Sequence, residues 1–406
     1  MRVAVIGGGW AGLAAAVDLT AAGVATTLYE AGRVFGGRAR CVELDGRRLD
    51  NGQHILLGAY RDTLDLMRRV GADPDALLAR HPLQVVDNDG FRLALPKLPA
   101  PLNLAWGLLA ARGVSFSEKL RTALWMQGVK ARRFRLGADC SVAEWLDAAG
   151  QTGTLRRRLW EPLCLAALNT PAERASAQLF ANVLRDSLGS ARREDTDLLL
   201  PRCDFGRLLA EPATNWLTEH GATLRANTRV RSLHAGVKAV TLDGEDYAAA
   251  IIATAPQHAG HLWPALAGHF DYEPIATVYL QYPATTRLPS PLQSQHGPCG
   301  QWVVDRGDGL LACVLSGHGD WEALDDAALA RQLADELNLG EAPGWHRVIR
   351  EKRATFACRP NLARPPATLA PRLFLAGDHS WAEYPATLEG AVRSGRRAAR
   401  LALAAG

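Results

Sequence analysis

The chain has 406 residues, of which 48% are apolar and 22% charged, and its formal net charge is +4. That length exceeds one compact core and calls for two domains, and so small a charge gives no reason to expect nucleic acid as a partner. Seven cysteines, at positions 41, 140, 164, 203, 299, 313 and 358, show neither CxxC nor metal-ligand spacing, so they fit reduced cytosolic thiols and no metal site is expected.

The first thirty residues carry the strongest signal. Residues 3–6 form an apolar run suited to a buried parallel strand. Gly7, Gly9 and Gly12 then spell G-x-G-x-x-G, and a helix follows to Gly23. Residues 26–29 make a second strand that ends at Glu30 and Ala31. Gly7 permits the tight turn, Gly9 lets a pyrophosphate approach the backbone, and Gly12 lets helix and strand pack closely. The phosphates lie on the helix N-terminus, and Glu30 is placed to accept from a ribose diol while repelling a 2′-phosphate. The first apolar run lacks a cleavage pattern, so no signal peptide is expected.

A second glycine pair with an arginine, Gly36-Gly37-Arg38, suits a backbone passing close to a pyrophosphate and flavin. Residues 50–60, DNGQHILLGAY, place an amide, an imidazole and a glycine directly before an apolar run. From 61 to 200 the apolar spacing is mostly helical, and Ser141 with Glu144 resembles a capping box. Arginines cluster between 112 and 207, either as solvated helix faces or as a basic face for anionic lipid. Residues 95–113 read as a short helix, lying in a membrane interface with Trp106 at headgroup level or buried in the protein. No stretch is long enough to span a bilayer.

Mixed strand and turn return over 201–256. Strands are expected within 272–319 and near 345–356, with a helix over 325–337 between them. Near the end, residues 373–375 read as a strand, with Gly377 and Asp378 at its carboxyl end. A helix starts near Thr387 and Leu388, its N-terminus suited to the flavin N1–C2=O edge. Asp378 could hold ribitol hydroxyls or cap a loop.

Together these motifs resemble the flavin amine oxidase and phytoene desaturase superfamily. The resemblance implies an α/β protein: a Rossmann-like FAD-binding domain (1–60, 201–260 and 350–406) with a discontinuous α+β substrate domain (61–200 and 261–349). It places the backbone of Val230 at the adenine end. With one fingerprint visible, reducing equivalents come from an external electron donor that binds transiently or acts through another protein. DNGQHILLGAY, residues 168–189, 198–209, 350–357 and 385–395 are similar to one branch, the bacterial squalene-associated FAD enzymes or hydroxysqualene dehydroxylases, across essentially the full chain.

This branch implies reductive replacement of an allylic C–OH by C–H on a long isoprenoid, in an apolar, aromatic-lined pocket near a membrane surface. Gly52, Gln53 and His54 then lie beside the flavin. His54 is the first candidate to protonate the leaving hydroxyl, or else a structural histidine bonded to backbone. Gln53 either bonds the flavin edge or fixes the turn. Trp381 and Tyr384, in a bulkier segment than the branch usually carries, are expected as pocket walls or as a packed loop. A carotenoid-type desaturase or amine oxidase is the alternative, and a non-catalytic isoprenoid carrier is the alternative of another class. The expected location is cytoplasmic, peripheral to the inner face of the membrane.

Overall fold

Strands Arg2–Ile6 and Ala25–Tyr29 are each buried along their last four residues and pair in parallel, joined by the helix Trp10–Ala21. In this computed structural model, which describes residues 1–87, 90–268, 270–295 and 297–405, distant segments complete their sheet. Thr223–Arg225 adds beyond the second strand, while Ala249–Ile252, Leu373–Leu375 and the antiparallel Thr368–Ala370 add beyond the first. Strand periodicity divides the two faces. Val3, Val5, Ile251 and Phe374 pack on the helices Trp10–Ala21 and Leu388–Ala404. Ala4, Ile6, Ala250 and Ile252 pack on a meander of Leu233–Ala235, Val240–Leu242 and Glu245–Tyr247. The two helices lie so close that a Cβ on Gly395 would come within 2.1 Å of the Ala11 carbonyl oxygen.

A second, antiparallel sheet orders Leu292–Ser294, Trp302–Asp305, Leu310–Ser316, Tyr272–Gln281 and Trp345–Phe356. One of its faces, with Ala276, Val278, Leu280, Leu311, Cys313 and Leu315, is covered by the helix Asp326–Leu337. The alternate residues Ile275, Thr277, Val314 and Ser316 face a cavity instead.

The 61–200 region is less helical than its apolar spacing predicts. Besides its helices it holds strands Leu78–His81, Gln84–Val86, Arg92–Ala94 and Leu198–Pro201. Leu83, Val85, Phe91, Leu93 and Leu95 alternate at period two and bury that face in the helical core, which outweighs local helix preference. Among the described residues, no helix is long and apolar enough to cross a membrane, and no cluster of His, Cys, Asp or Glu could hold a metal ion.

Candidate active site

A cavity of about 890 Å³ lies between the carboxyl ends of the parallel strands and the second sheet. The crevice beyond the carboxyl ends is where open parallel sheets take ligands. Gly7, Gly9, Glu30, Ala31, Gly37, Arg38, Gly52, Gln53, His54, Val230, Gly377, Asp378, Tyr384, Thr387 and Leu388 all line it.

Gly12 lies behind the lining: a Cβ there would stand 1.8 Å from the Gly7 carbonyl oxygen, so the first helix approaches its strand only with glycine at this point. The Gly36-Gly37-Arg38 segment packs on the fingerprint turn, with Gly36 N–H donating to Gly8 O at 2.8 Å. A Cβ on Gly37 would meet Gly9 Cα at 3.0 Å. Glu30 accepts from the N–H groups of Gly8 at 2.9 Å and Gly32 at 2.7 Å, so its carboxylate is held at the mouth of the turn. Val230 follows a segment fastened to the same place by Asn227 N–H to Gly32 O and Thr228 N–H to Glu30 O.

Two helix N-termini open onto the cavity. Gly9 precedes one without any side-chain cap, and Thr387 caps the other by accepting from Gly390 N–H at 3.1 Å. Arg38 donates to Asp378 at 2.6 Å. Burial alone would raise the Asp378 carboxyl, but Arg38 and His379 outweigh it and hold the group well below the usual carboxylate range. This carboxylate is therefore an acceptor at every working pH.

The DNGQH stretch joins the two halves of the molecule. Asp50 accepts from Phe205 N–H at 2.7 Å and pairs with Arg306 at 3.2 Å. Burial, only partly offset by Arg306, pushes its carboxyl up to about 6. Gln53 N–H donates to Thr277 Oγ1 at 3.1 Å. The Gln53 side chain donates to the His54 carbonyl at 2.9 Å and accepts from Arg306 at 3.0 Å. Its amide thus serves the turn rather than a free ligand edge.

His54 Nδ1 lies 2.7 Å from the Gly52 carbonyl oxygen. A carbonyl only accepts, so Nδ1 carries the hydrogen. Burial pulls the imidazole down to about 4, partly countered by that bond and reinforced by Arg38. The ring is therefore neutral at physiological pH, and Nε2 presents a lone pair. A neutral ring tied through Nδ1 to the Gly52 carbonyl fits the structural alternative for His54 better than the acid role.

Tyr384, 3% exposed, donates a hydrogen bond from its hydroxyl to Asp186, and its ring lies 4.7 Å from the Arg393 guanidinium. Trp381 is not a wall of the cavity. Its indole lies under Arg397, 4.9 Å from ring centroid to guanidinium, in the packed loop.

Several residues escaped sequence reasoning. Thr254 Oγ1 and His379 Nε2 are buried on the cavity wall without a hydrogen-bond partner in the protein, while His379 Nδ1 lies 3.7 Å from Asp378. Buried polar atoms are normally paired, so these mark where a polar ligand is received and fit the ribityl and phosphate oxygens of FAD. Asn169, left-handed at φ 48°, donates to Thr355 Oγ1 and accepts from Gly317 N–H, fastening the helical layer to the second sheet. The helix-stopping LNTP in the sequence was its only local signal. Tyr60, last residue of DNGQHILLGAY, also lines the cavity. Burial, with Glu389 nearby, raises its phenol far above the ordinary value.

Residues 10–403 match the family described as flavin containing amine oxidoreductase. The chain is 31% identical to the hydroxysqualene dehydroxylase of Rhodopseudomonas palustris, over 100% of this chain and 99% of that protein. It is also 31% identical to that of Sinorhizobium fredii, over 99% and 98%. Identity to the zeta-carotene desaturase of Synechocystis sp. is 24%, over 100% and 97%. Among solved structures, a triple mutant of putrescine oxidase has a TM-score of 0.75 at 18% identity, covering 100% of this chain and 99% of that one. The chain belongs to the flavin-containing amine oxidoreductase family. It is an FAD-dependent oxidoreductase, which displaces the carrier alternative.

Proposed function

We propose that this flavoenzyme reductively removes the allylic hydroxyl of hydroxysqualene to give squalene and water. Full-length identity to hydroxysqualene dehydroxylases carries the reading. The cavity supports it: away from the fingerprint it is lined by Leu83, Val85, Leu159, Leu163, Leu292 and Trp302, which suits a long hydrocarbon and excludes water. In the net reaction a C–O bond breaks, a C–H bond forms, and one hydride equivalent and one proton are consumed. FAD, when bound, supplies the hydride equivalent, and an external donor restores it.

Gly7, Gly9, Glu30, Ala31, Gly37, Arg38, Val230, Gly377 and Asp378 would hold the cofactor, with the Thr387–Leu388 helix end and Gly52 toward its ring. The proton comes from a group other than His54. The Tyr384 hydroxyl is engaged in a hydrogen bond to Asp186. Tyr60 lines the cavity and no hydrogen bond ties its hydroxyl to the protein among the described residues, so we assign it the donation to the departing oxygen. A C30 substrate partitions into bilayers, so the reading includes collection of substrate at a membrane surface.

Anaerobic incubation of the reduced holoenzyme with hydroxysqualene is expected to yield squalene and reoxidised flavin absorbance; failure of both sinks the reading. The likeness to zeta-carotene desaturase supplies the second reading, an oxidation. It gains if oxidised enzyme is bleached by a polyene while reduced enzyme ignores hydroxysqualene.

A further inference from the structure

We propose that the outward faces of the helices Leu102–Ala110 and Phe116–Ala131 seat the protein on an anionic phospholipid bilayer. Eleven large apolar residues stand exposed among the described residues, and seven of them fall between Leu98 and Leu124. The other four, Met1, Val34, Val237 and Leu403, are scattered along the chain. Single exposed apolar residues are ordinary, but such a concentration marks an interaction surface.

The first helix turns an apolar face to the outside, unlike a solvent-facing one. Its exposed positions are Leu102, Ala105, Trp106, Leu109 and Ala110, at helical spacing and without a polar side chain. Its inward face carries Asn103 and Gly107, with Leu104 and Leu108 half-buried against the helical core, and a Cβ on Gly107 would stand 2.4 Å from Leu95. Glycine and a small amide settle this helix onto the body with its apolar arc outward. On the second helix Phe116, Leu120 and Leu124 follow at i, i+4 and i+8, exposed at 71%, 51% and 65%.

Charge selects the partner. Residues 95–138 hold eight of the chain's 46 Lys and Arg but one of its 42 Asp and Glu. That one, Glu118, turns inward to accept from Leu155 N–H. Arg112, Arg121, Lys130, Arg132, Arg133 and Arg135 are exposed around the apolar positions. An apolar face rimmed by cations, with an outward tryptophan, complements anionic headgroups over acyl chains. The same layer reaches the cavity. Gln84 and Val85 line it, and their strand pairs with Arg92–Ala94, on which the first helix packs. Docking would bring the cavity's hydrocarbon end toward the lipid. The inference rests on the surface residues, and it gives the membrane part of the reading above a face while leaving the reaction to its own test.

The test is co-sedimentation of the FAD-loaded full chain with vesicles of phosphatidylcholine containing about 30% phosphatidylglycerol, and with pure phosphatidylcholine. Binding to the anionic vesicles, weakened by salt, is expected. The pair Trp106→Asp and Leu120→Asp should lower it by about tenfold or more while flavin absorbance and Tm stay at wild-type values. Wild-type protein left in the supernatant with anionic vesicles, or a variant that binds as well as wild type, overturns the proposal. So does self-association that the variant abolishes in the absence of vesicle binding, since a second copy would then be the occupant.

Discussion

The two ends of the cavity are built on opposite principles. At the fingerprint end, backbone does the binding: glycines, helix N-termini and main-chain N–H groups, with Glu30, Arg38 and Asp378 supplying charged side chains. At the hydrocarbon end, side chains from widely separated stretches make the wall, among them Val85, Leu163, Leu292 and Trp302. At the cofactor end Gly7, Gly12 and Gly377 leave no room for an added Cβ. The hydrocarbon end needs only volume and the exclusion of water, so its residues can be exchanged more freely.

Gly12→Val should break the contrast most severely. The new side chain has no room against the Gly7 carbonyl, and a cost of about 3 kcal/mol or more is expected, read as loss of soluble yellow protein. Gly344→Ala, where a Cβ meets nothing within 4 Å, is the silent control. Next comes Asp378→Ala, which strands Arg38 and should weaken FAD retention by about 3 kcal/mol, measured by flavin release on dilution. Tyr60→Phe should leave flavin binding intact and lower the rate of squalene formation by about 100-fold. An unchanged rate would remove Tyr60 as the proton source.

His54→Asn sharpens the boundary between the ends. Unfolded His54 takes a proton below about pH 6.5, the folded protein only below about 4, so wild-type stability falls as pH drops through that interval. The fall should shrink in the variant by on the order of 2 kcal/mol in urea melts, with squalene formation at pH 7.5 reduced less than about tenfold. Trp381→Phe should have the smallest effect, within about 1 kcal/mol in stability and with turnover little changed, because the ring faces Arg397 rather than the cavity.

Legibility in the sequence follows the same division. The fingerprint, Gly36-Gly37-Arg38 and Gly377-Asp378 could be read because each is a short peptide whose conformation is its function. The strand Leu373–Leu375 and the N-cap Thr387 fell where local signals put them. Tyr60 and Asn169 were passed over because a lone Tyr or Asn carries no local mark of what it will face. The strands within 61–200 were hidden because apolar residues two apart also satisfy a helical reading over so few residues.

From sequence alone came the family, the cofactor and the peptides that hold it, since those depend on backbone shape within a few residues. Tertiary structure decided the rest. The Gly52 carbonyl and the surrounding burial determine which nitrogen of His54 keeps its proton, and hence that this ring accepts. Arg397, on the helix Leu388–Ala404, lies over the Trp381 ring in the preceding loop. The packing of Gly107 on Leu95 turns the apolar arc of the Leu102–Ala110 helix outward, which composition could not distinguish from burial. Each of these is a choice between orientations of the same residues, and orientation is set by contacts between parts of the chain that lie far apart in sequence.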